Sequence, residues 1–432
     1  MQYHKDVMDS GLTIVRVPMG GVKSSTVLAL VNVGSRYEDE KVGGISHFLE
    51  HMVFKGTEKY PTAQDVASTV DAIGAEFNAF TSKEYTGYYV KSASKDIDVA
   101  LDVVSDMLLT PQLREDDLER EKGVIIEEIN MYEDTPMRHI GDVFEGMFYA
   151  GSPLGREVIG TRESVRGVHR QDFINHMEKW YGLANVTVMV VGDEDVVGAK
   201  EILEKTQRYF SKKTSERQQP PIQVFSSNPI SNQQKLHVEY KKTEQAHFVL
   251  GFPGLKRLDD DRYSAVVLAT LLGGNMSSRL FTEVREKRGL CYYVRSDKDF
   301  YHDSGFFGAA AGVDPNRVDE AIRVTYEQFL LLQNHQQPVT KNELKRAKDY
   351  TIGSLILGME DSQSVALAYG LKQLLEGEIS TLDEIIAQIS VVSMEDVQRV
   401  IERLIKPEEV RLAMIGPFED RERFGKLLGI RS

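Results

Sequence analysis

Gly43-Gly44-Ile45-Ser46-His47-Phe48-Leu49-Glu50-His51-Met52-Val53-Phe54-Lys55-Gly56-Thr57 is the stretch whose reading decides the rest of this chain. It predicts an apolar helix opened by glycine and interrupted by His47, Glu50 and His51. Side chains at i and i+4 leave a helix on one face about a turn apart, which suits two imidazole ligands on one tetrahedral metal ion. Glu50 follows His47 by three positions and precedes His51 by one, so its carboxylate reaches the same face. The order H-x-x-E-H inverts the H-E-x-x-H zinc helix. Chance placement of these residues on a core helix is the competing account, and a third ligand elsewhere in the chain separates the two.

A chain of 432 residues exceeds the size at which one core stops growing, which predicts two or more domains. Hydrophobic residues at 41% and charged residues at 27% describe an ordinary globular protein. No signal-peptide pattern and no apolar run of spanning length is present, so no membrane association is expected. The single cysteine, Cys291, excludes an intrachain disulfide framework and fits a reducing cytoplasm. A net charge of −14 argues against nucleic acid as a partner. It would favour cationic peptides if the acidic residues line the place where a peptide sits; an acidic surface kept for solubility accounts for it equally well.

Residues 25–33 read as a buried strand ended by Gly34, and residues 75–82 and 85–91 as a hairpin. The helix expected over 115–132 supplies candidates for the missing ligand. Leu118, Glu121, Val124, Ile125 and Glu128 fall on one stripe, while Arg120, Gly123 and Glu127 fall away from it. Burying an unpaired carboxylate is costly, so glutamates among apolar residues normally have a cation or a donor waiting. A solvent-facing helix rich in glutamate suffices for Glu119 and Glu127, and less well for Glu121 and Glu128. Residues 211–232, rich in Ser, Gln, Lys and Pro, read as an interdomain linker. The expected division is a metal-bearing domain over 1–213, a linker over 214–232 and a second domain over 233–432.

Beyond the linker the chain echoes itself. Val165, Val168, Asp172 and Gly192 recur as Ile389, Val392, Asp396 and Gly416, at a constant offset of 224 (389 − 165). Residues 113–122 recur at 339–348, and residues 25–34 at 245–254. Periods this long imply two copies of one α/β domain. Under these offsets Glu121 and Glu128 map to Ala347 and Ser354, and His47, Glu50 and His51 to about Val267, Thr270 and Leu271. One copy keeps the polar cluster and the other replaces it with small or apolar side chains, which favours a site over a structural role.

With these residues in hand, the chain resembles the inverted-motif zinc peptidases that include the mitochondrial processing peptidase β-subunit, pitrilysin and the insulin-degrading enzyme. It looks most like their single-length bacterial members, over essentially its whole length. The resemblance is carried by His47-Phe48-Leu49-Glu50-His51 with Phe54-Lys55-Gly56-Thr57, and by Glu119-Arg120-Glu121-Lys122-Gly123-Val124-Ile125-Ile126-Glu127-Glu128. It implies an α+β fold of two tandem homologous domains, each a mainly antiparallel sheet packed with helices. It places the third ligand at Glu128 and gives Glu121 a supporting role behind the ligands. Asn78, Ala79 and Phe80 resemble the edge strand to which substrate backbone is added; taken alone, Asn78 could equally be a hairpin residue. Arg285 and Tyr292 match the family's arginine–tyrosine pair; taken alone, they read as a surface arginine and a core tyrosine.

The chemistry implied is peptide hydrolysis at one zinc ion per chain, held by His47, His51 and Glu128. Three protein ligands leave one position open for a water whose pKa falls towards about 7. Glu50 takes the proton of the attacking water and passes it to the leaving amine. By resemblance, Tyr292 supports the oxyanion and Arg285 holds substrate backbone. Resemblance also implies a homodimer enclosing a chamber, with Arg285 and Tyr292 reaching the zinc site of the partner copy. Two other readings stand beside the endopeptidase: a non-catalytic structural subunit of the same fold, for which degraded ligands would be expected, and a zinc-binding interaction module.

Overall fold

The computed structural model describes residues 1–211 and 234–430, so the linker expected over 214–232 lies outside the described residues. The described chain forms two compact units of helices and sheet. The first contains a six-stranded sheet built from β1 (His4–Val7), β2 (Thr13–Met19), β3 (Ser24–Val31), β4 (Glu76–Thr81), β5 (Thr86–Ala93) and β6 (Val186–Asp193). Their spatial order is β1-β2-β6-β3-β5-β4, and only β2 and β6 pair in parallel. The second unit contains a five-stranded sheet of β7 (Leu236–Tyr240), β8 (Ala246–Pro253), β9 (Cys291–Phe300), β10 (Gly305–Val313) and β11 (Arg411–Gly416).

The order β7-β11-β8-β10-β9 repeats β2-β6-β3-β5-β4 position for position, including one parallel pair, β7 with β11. The two sheets are therefore one topology used twice, with β1 added to the first. The echo of residues 25–34 at 245–254 is the echo of β3 in β8, the middle strand of each five-strand set.

Central strands covered on both faces read as continuous apolar runs rather than as alternation. That is the case for β3 and β6, where nearly every residue is buried. Packing on the first sheet are the helices Ile97–Leu109 and Ser362–Glu376. Val365, Ala366 and Tyr369 of the latter join Val15, Val17, Leu28, Leu30 and Met189 in one core. In the second unit, Phe144 and Phe148 of the helix Pro136–Phe148 pack with Val249, Phe306, Ala413 and Ile415.

Those two helices make the compact units discontinuous. The first takes residues 1–130, 156–211 and 356–383; the second takes 131–155, 234–355 and 384–430. Cuts at 213 and 233 would thus leave 131–155 with the first sheet and 356–383 with the second. Apolar stripes on a helix do not state which sheet they cover, and here each half of the chain lends one helix to the other half's sheet.

The charged stretch before the motif helix, residues 36–41, is not simply a solvated loop. Arg36 and Glu38 are buried, and Arg36 forms an ion pair with the equally buried Glu84. Buried charges persist only when paired or hydrogen-bonded, and both conditions are met here.

Candidate active site

The helix Ile45–Val53 carries the motif and starts at Gly44, whose φ of +90° lies in the left-handed region. A Cβ there would stand 2.5 Å from the Ile159 carbonyl oxygen, so glycine is needed for conformation and for space. The Glu38 carboxylate accepts from the backbone N–H groups of Gly44 at 2.6 Å and Ser46 at 2.8 Å, satisfying donors that a helix start leaves free. Burial pushes the Glu38 carboxyl up to about 7, against the lowering effect of those N–H groups and of Arg156. Ile45, Phe48, Leu49, Met52 and Val53 are buried, while His47, Glu50 and His51 are half-buried along the remaining face.

The helix Glu115–Glu133 presents Glu128 to that face. Glu128 Oε2 lies 3.6 Å from His47 Nε2 and 3.4 Å from His51 Nε2. Two ligand atoms on a tetrahedral zinc with bonds of about 2.0–2.1 Å stand about 3.4 Å apart, so these spacings match such a site. One ligand atom from each of the three residues lies within 4.8 Å of the others, and no other such group of three occurs among the described residues. Glu127, its neighbour, is exposed, and residue 128 is the one that faces the histidines.

Glu121, two turns earlier, is buried and bonds His51 Nδ1 at 2.9 Å. With Nδ1 engaged there, Nε2 of His51 is the nitrogen turned to the cluster. Lys55 holds the other Glu121 oxygen at 2.7 Å. Burial would raise the Glu121 carboxyl, but the bonds from His51 and Lys55 hold it below the usual carboxylate range. Val124, expected on the buried stripe, is 51% exposed. The buried side of the helix is centred on Leu118, Ile125 and Ile129, so the glutamates sit at the edge of the stripe and Val124 beyond it.

Charge is divided unevenly between the histidines. Burial and the neighbouring His51 push the His47 imidazole down to about 4, against the pull of Glu128. Burial also disfavours the His51 imidazolium, but hydrogen bonds to Glu121 and Glu128 outweigh it and lift His51 to about 9. Burial raises Glu50 above its ordinary value, opposed first by a hydrogen bond from Thr81. That bond, Thr81 Oγ1 to Glu50 Oε2, is 2.7 Å long.

Among the described residues β4 is the last strand of its sheet, so one of its edges has no described strand beside it. Ser82 N–H donates to the Tyr85 carbonyl across a two-residue turn, Lys83 and Glu84. Antiparallel alternation then turns the backbone groups of Phe77, Ala79 and Thr81 to the free edge and those of Asn78 and Phe80 to β5. Ala79 N–H accordingly finds the Asn78 side-chain oxygen, at 2.8 Å, rather than β5. Of Asn78, Ala79 and Phe80, only Ala79 offers its backbone to an added strand. Asn78 sits within β4 and not in the turn, and Phe80 packs its ring on Tyr85.

Arg285 and Tyr292 lie in the second unit. The Arg285 guanidinium stands 4.9 Å from the Phe281 ring centre and 5.7 Å from that of Tyr292. Tyr292 is 73% exposed, so it is no core tyrosine. At the places that echo the metal cluster, Val267, Leu271 and Ala347 are buried apolar residues and Ser354 is exposed. Thr270, in the position of Glu50, bonds Thr351 at 3.0 Å.

Lys55, Thr81 and Glu38 were not singled out by the sequence. Only Thr81 left a signal, since strand alternation puts it on the same face as Ala79.

Comparison with known proteins follows the same lines. A family model described as insulinase, peptidase family M16, matches residues 19–162, and one described as peptidase M16 inactive domain matches residues 167–350. An uncharacterised zinc protease of Streptomyces coelicolor is 36% identical over 97% of this chain and 90% of its own length. One from Bacillus subtilis is 35% identical over 94% of this chain and 97% of its own. Among solved structures, a protease from Helicobacter pylori superposes with a TM-score of 0.84 at 23% identity, covering 96% of this chain and 99% of that one. A peptidase M16 inactive domain protein from Pseudomonas fluorescens superposes with a TM-score of 0.87 at 18% identity, covering 98% and 99%.

Proposed function

The chain belongs to peptidase family M16, the insulinase family, and is a zinc protease; from that premise we propose that it is an endopeptidase acting on peptides or leader-like segments inside a closed chamber. The observation that carries this reading is the convergence of His47, His51 and Glu128, with Glu128 Oε2 3.6 Å from His47 Nε2 and 3.4 Å from His51 Nε2 and with Glu50 on the same helix face.

His47, His51 and Glu128 would hold one zinc ion per chain. When bound, zinc supplies Lewis acidity that polarises the peptide carbonyl and acidifies water. The protein's own residues do the rest. Glu121 fixes the ring of His51 through Nδ1 and keeps its Nε2 aimed at the cluster. Glu50 accepts a proton from the attacking water at the carboxylate oxygen that Thr81 leaves open, as the water oxygen bonds to the carbonyl carbon. The same carboxyl then delivers that proton to the amine nitrogen as the C–N bond breaks. A raised Glu50 pKa suits both duties, since the group must bind the proton and release it. The edge-facing backbone groups of Ala79 would bind substrate as an added strand, its N–H exchanging the Asn78 side-chain oxygen for a substrate carbonyl, and Arg285 and Tyr292 would act on substrate backbone and oxyanion.

We propose further that two copies form the working unit, each receiving Arg285 and Tyr292 from its partner. The exposure of Tyr292 supports this, since a site completed by a second copy needs the ring at the surface. No helix among the described residues is long and apolar enough to cross a membrane, and we place the protein in the cytoplasm on its cysteine usage.

The test is Glu50→Gln against a library of quenched basic peptides. The variant should bind zinc as wild type does and lose cleavage. Undiminished cleavage would remove Glu50 as the base, and zinc binding with no cleavage by either protein would favour a binding module.

A further inference from the structure

β4 does more than border the site. Its alternate side chains Phe77, Ala79 and Thr81 share one face, and that face meets the motif helix: the Phe77 ring lies 5.6 Å from that of Phe54, and Thr81 reaches Glu50. The tip of the hairpin is anchored, which is unusual for a turn. Lys83 and Glu84 are both buried; Lys83 Nζ donates to the Arg156 carbonyl at 2.6 Å, and Glu84 pairs with Arg36. Thr81 therefore stands on a rigid support, and its β-branched side chain has few rotamers of its own.

Glutamate is the opposite case. Its terminal torsion is broad, so a half-buried carboxylate with one bond missing samples several orientations. We propose that Thr81 is a positioning residue for the proton-transfer step: its hydroxyl clamps Oε2 of Glu50 and so presents the other oxygen to the attacking water. This rests on the peptidase reading above. The backbone of Thr81 faces the free edge of β4 while its hydroxyl faces the helix, so substrate addition along β4 does not need the hydroxyl. Substrate binding and base orientation are thereby separable at one residue.

The experiment compares wild type, Thr81→Val, Thr81→Ser and Glu50→Gln on one quenched peptide, with zinc content measured for each. Thr81→Val keeps the shape of the side chain and removes the donor. It should lower kcat about 10- to 100-fold with KM and zinc content unchanged, and Thr81→Ser should recover most of the loss. A Thr81→Val enzyme with wild-type kcat, or one whose loss lies in KM or zinc content, overturns the assignment. Cleavage that does not depend on Glu50 would instead remove Glu50 as the base, and zinc-loaded wild type that cleaves no peptide would overturn the peptidase reading. A crystal structure of Thr81→Val decides the clamp without turnover: the Glu50 carboxylate should occupy more than one rotamer, and a single unchanged rotamer would sink the proposal.

Discussion

Two histidines one helical turn apart hold their protons over different pH ranges, His47 pushed down to about 4 and His51 lifted to about 9. The cause is geometric. His51 has two carboxylates in bonding reach, whereas Nδ1 of His47 is buried and has no hydrogen-bond partner among the described residues. Metal binding requires both rings neutral. At pH 7 the metal-free protein thus carries one proton to displace, on His51, because pH 7 lies below its raised value and above that of His47. Zinc uptake at pH 7 should release about one proton, and affinity should rise about tenfold per pH unit up to pH 9, then level off. Calorimetric titration in two buffers of different ionisation enthalpy measures the release; none at pH 7 would mean that His51 is already neutral. The two histidines were legible from i,i+4 spacing, and carboxylates among apolar residues marked Glu121 and Glu128 together; the choice of Glu128 came from the family resemblance, and the structure brings that residue to the histidines. Thr81 acts through Glu50, 31 positions away, Lys55 through Glu121, 66 away, and Glu38 through Ser46, 8 away; strand alternation marks the face of Thr81, but no local pattern names the partner of Thr81 or Lys55.

Among the elements, the hairpin of β4 and β5 shows how far alternation carries. Strand periodicity predicts the hairpin itself, but not which backbone groups are free. That follows from a single bond, Ser82 N–H to the Tyr85 carbonyl, which sets the parity of every residue along β4. An added peptide would meet Phe77, Ala79 and Thr81 in one register only. N-methylating substrate amides that face β4 should raise KM by about tenfold per lost bond, and methylating the alternate amides should leave KM unchanged. Equal effects in both registers would argue against strand addition. The glutamate helix repeats the lesson: its stripe is real, yet Val124 lies on the exposed side because a stripe has edges that only packing draws.

On the scale of the whole molecule, one topology occurs twice, and only the first copy keeps the polar cluster. If the Arg285–Tyr292 pair serves the partner's zinc site, then Glu50→Gln and Tyr292→Phe copies, each inactive alone, should complement each other when mixed. Random exchange would restore about a quarter of wild-type activity, since half the dimers are mixed and each has one intact site. No recovery in mixtures shown by light scattering to be dimeric would assign the pair to its own chain. By itself the sequence determined the element types, the duplication and the candidates for the metal cluster, because periodicity, repeats and spacing are properties of neighbours along the chain. Only the tertiary structure decided that the helices Pro136–Phe148 and Ser362–Glu376 cover the sheets they do, that Arg36 and Glu84 are buried together, and that Thr81 holds Glu50. An apolar stripe or a lone charge states what it needs but not which distant partner will supply it; that choice is made by the shape of the packed core.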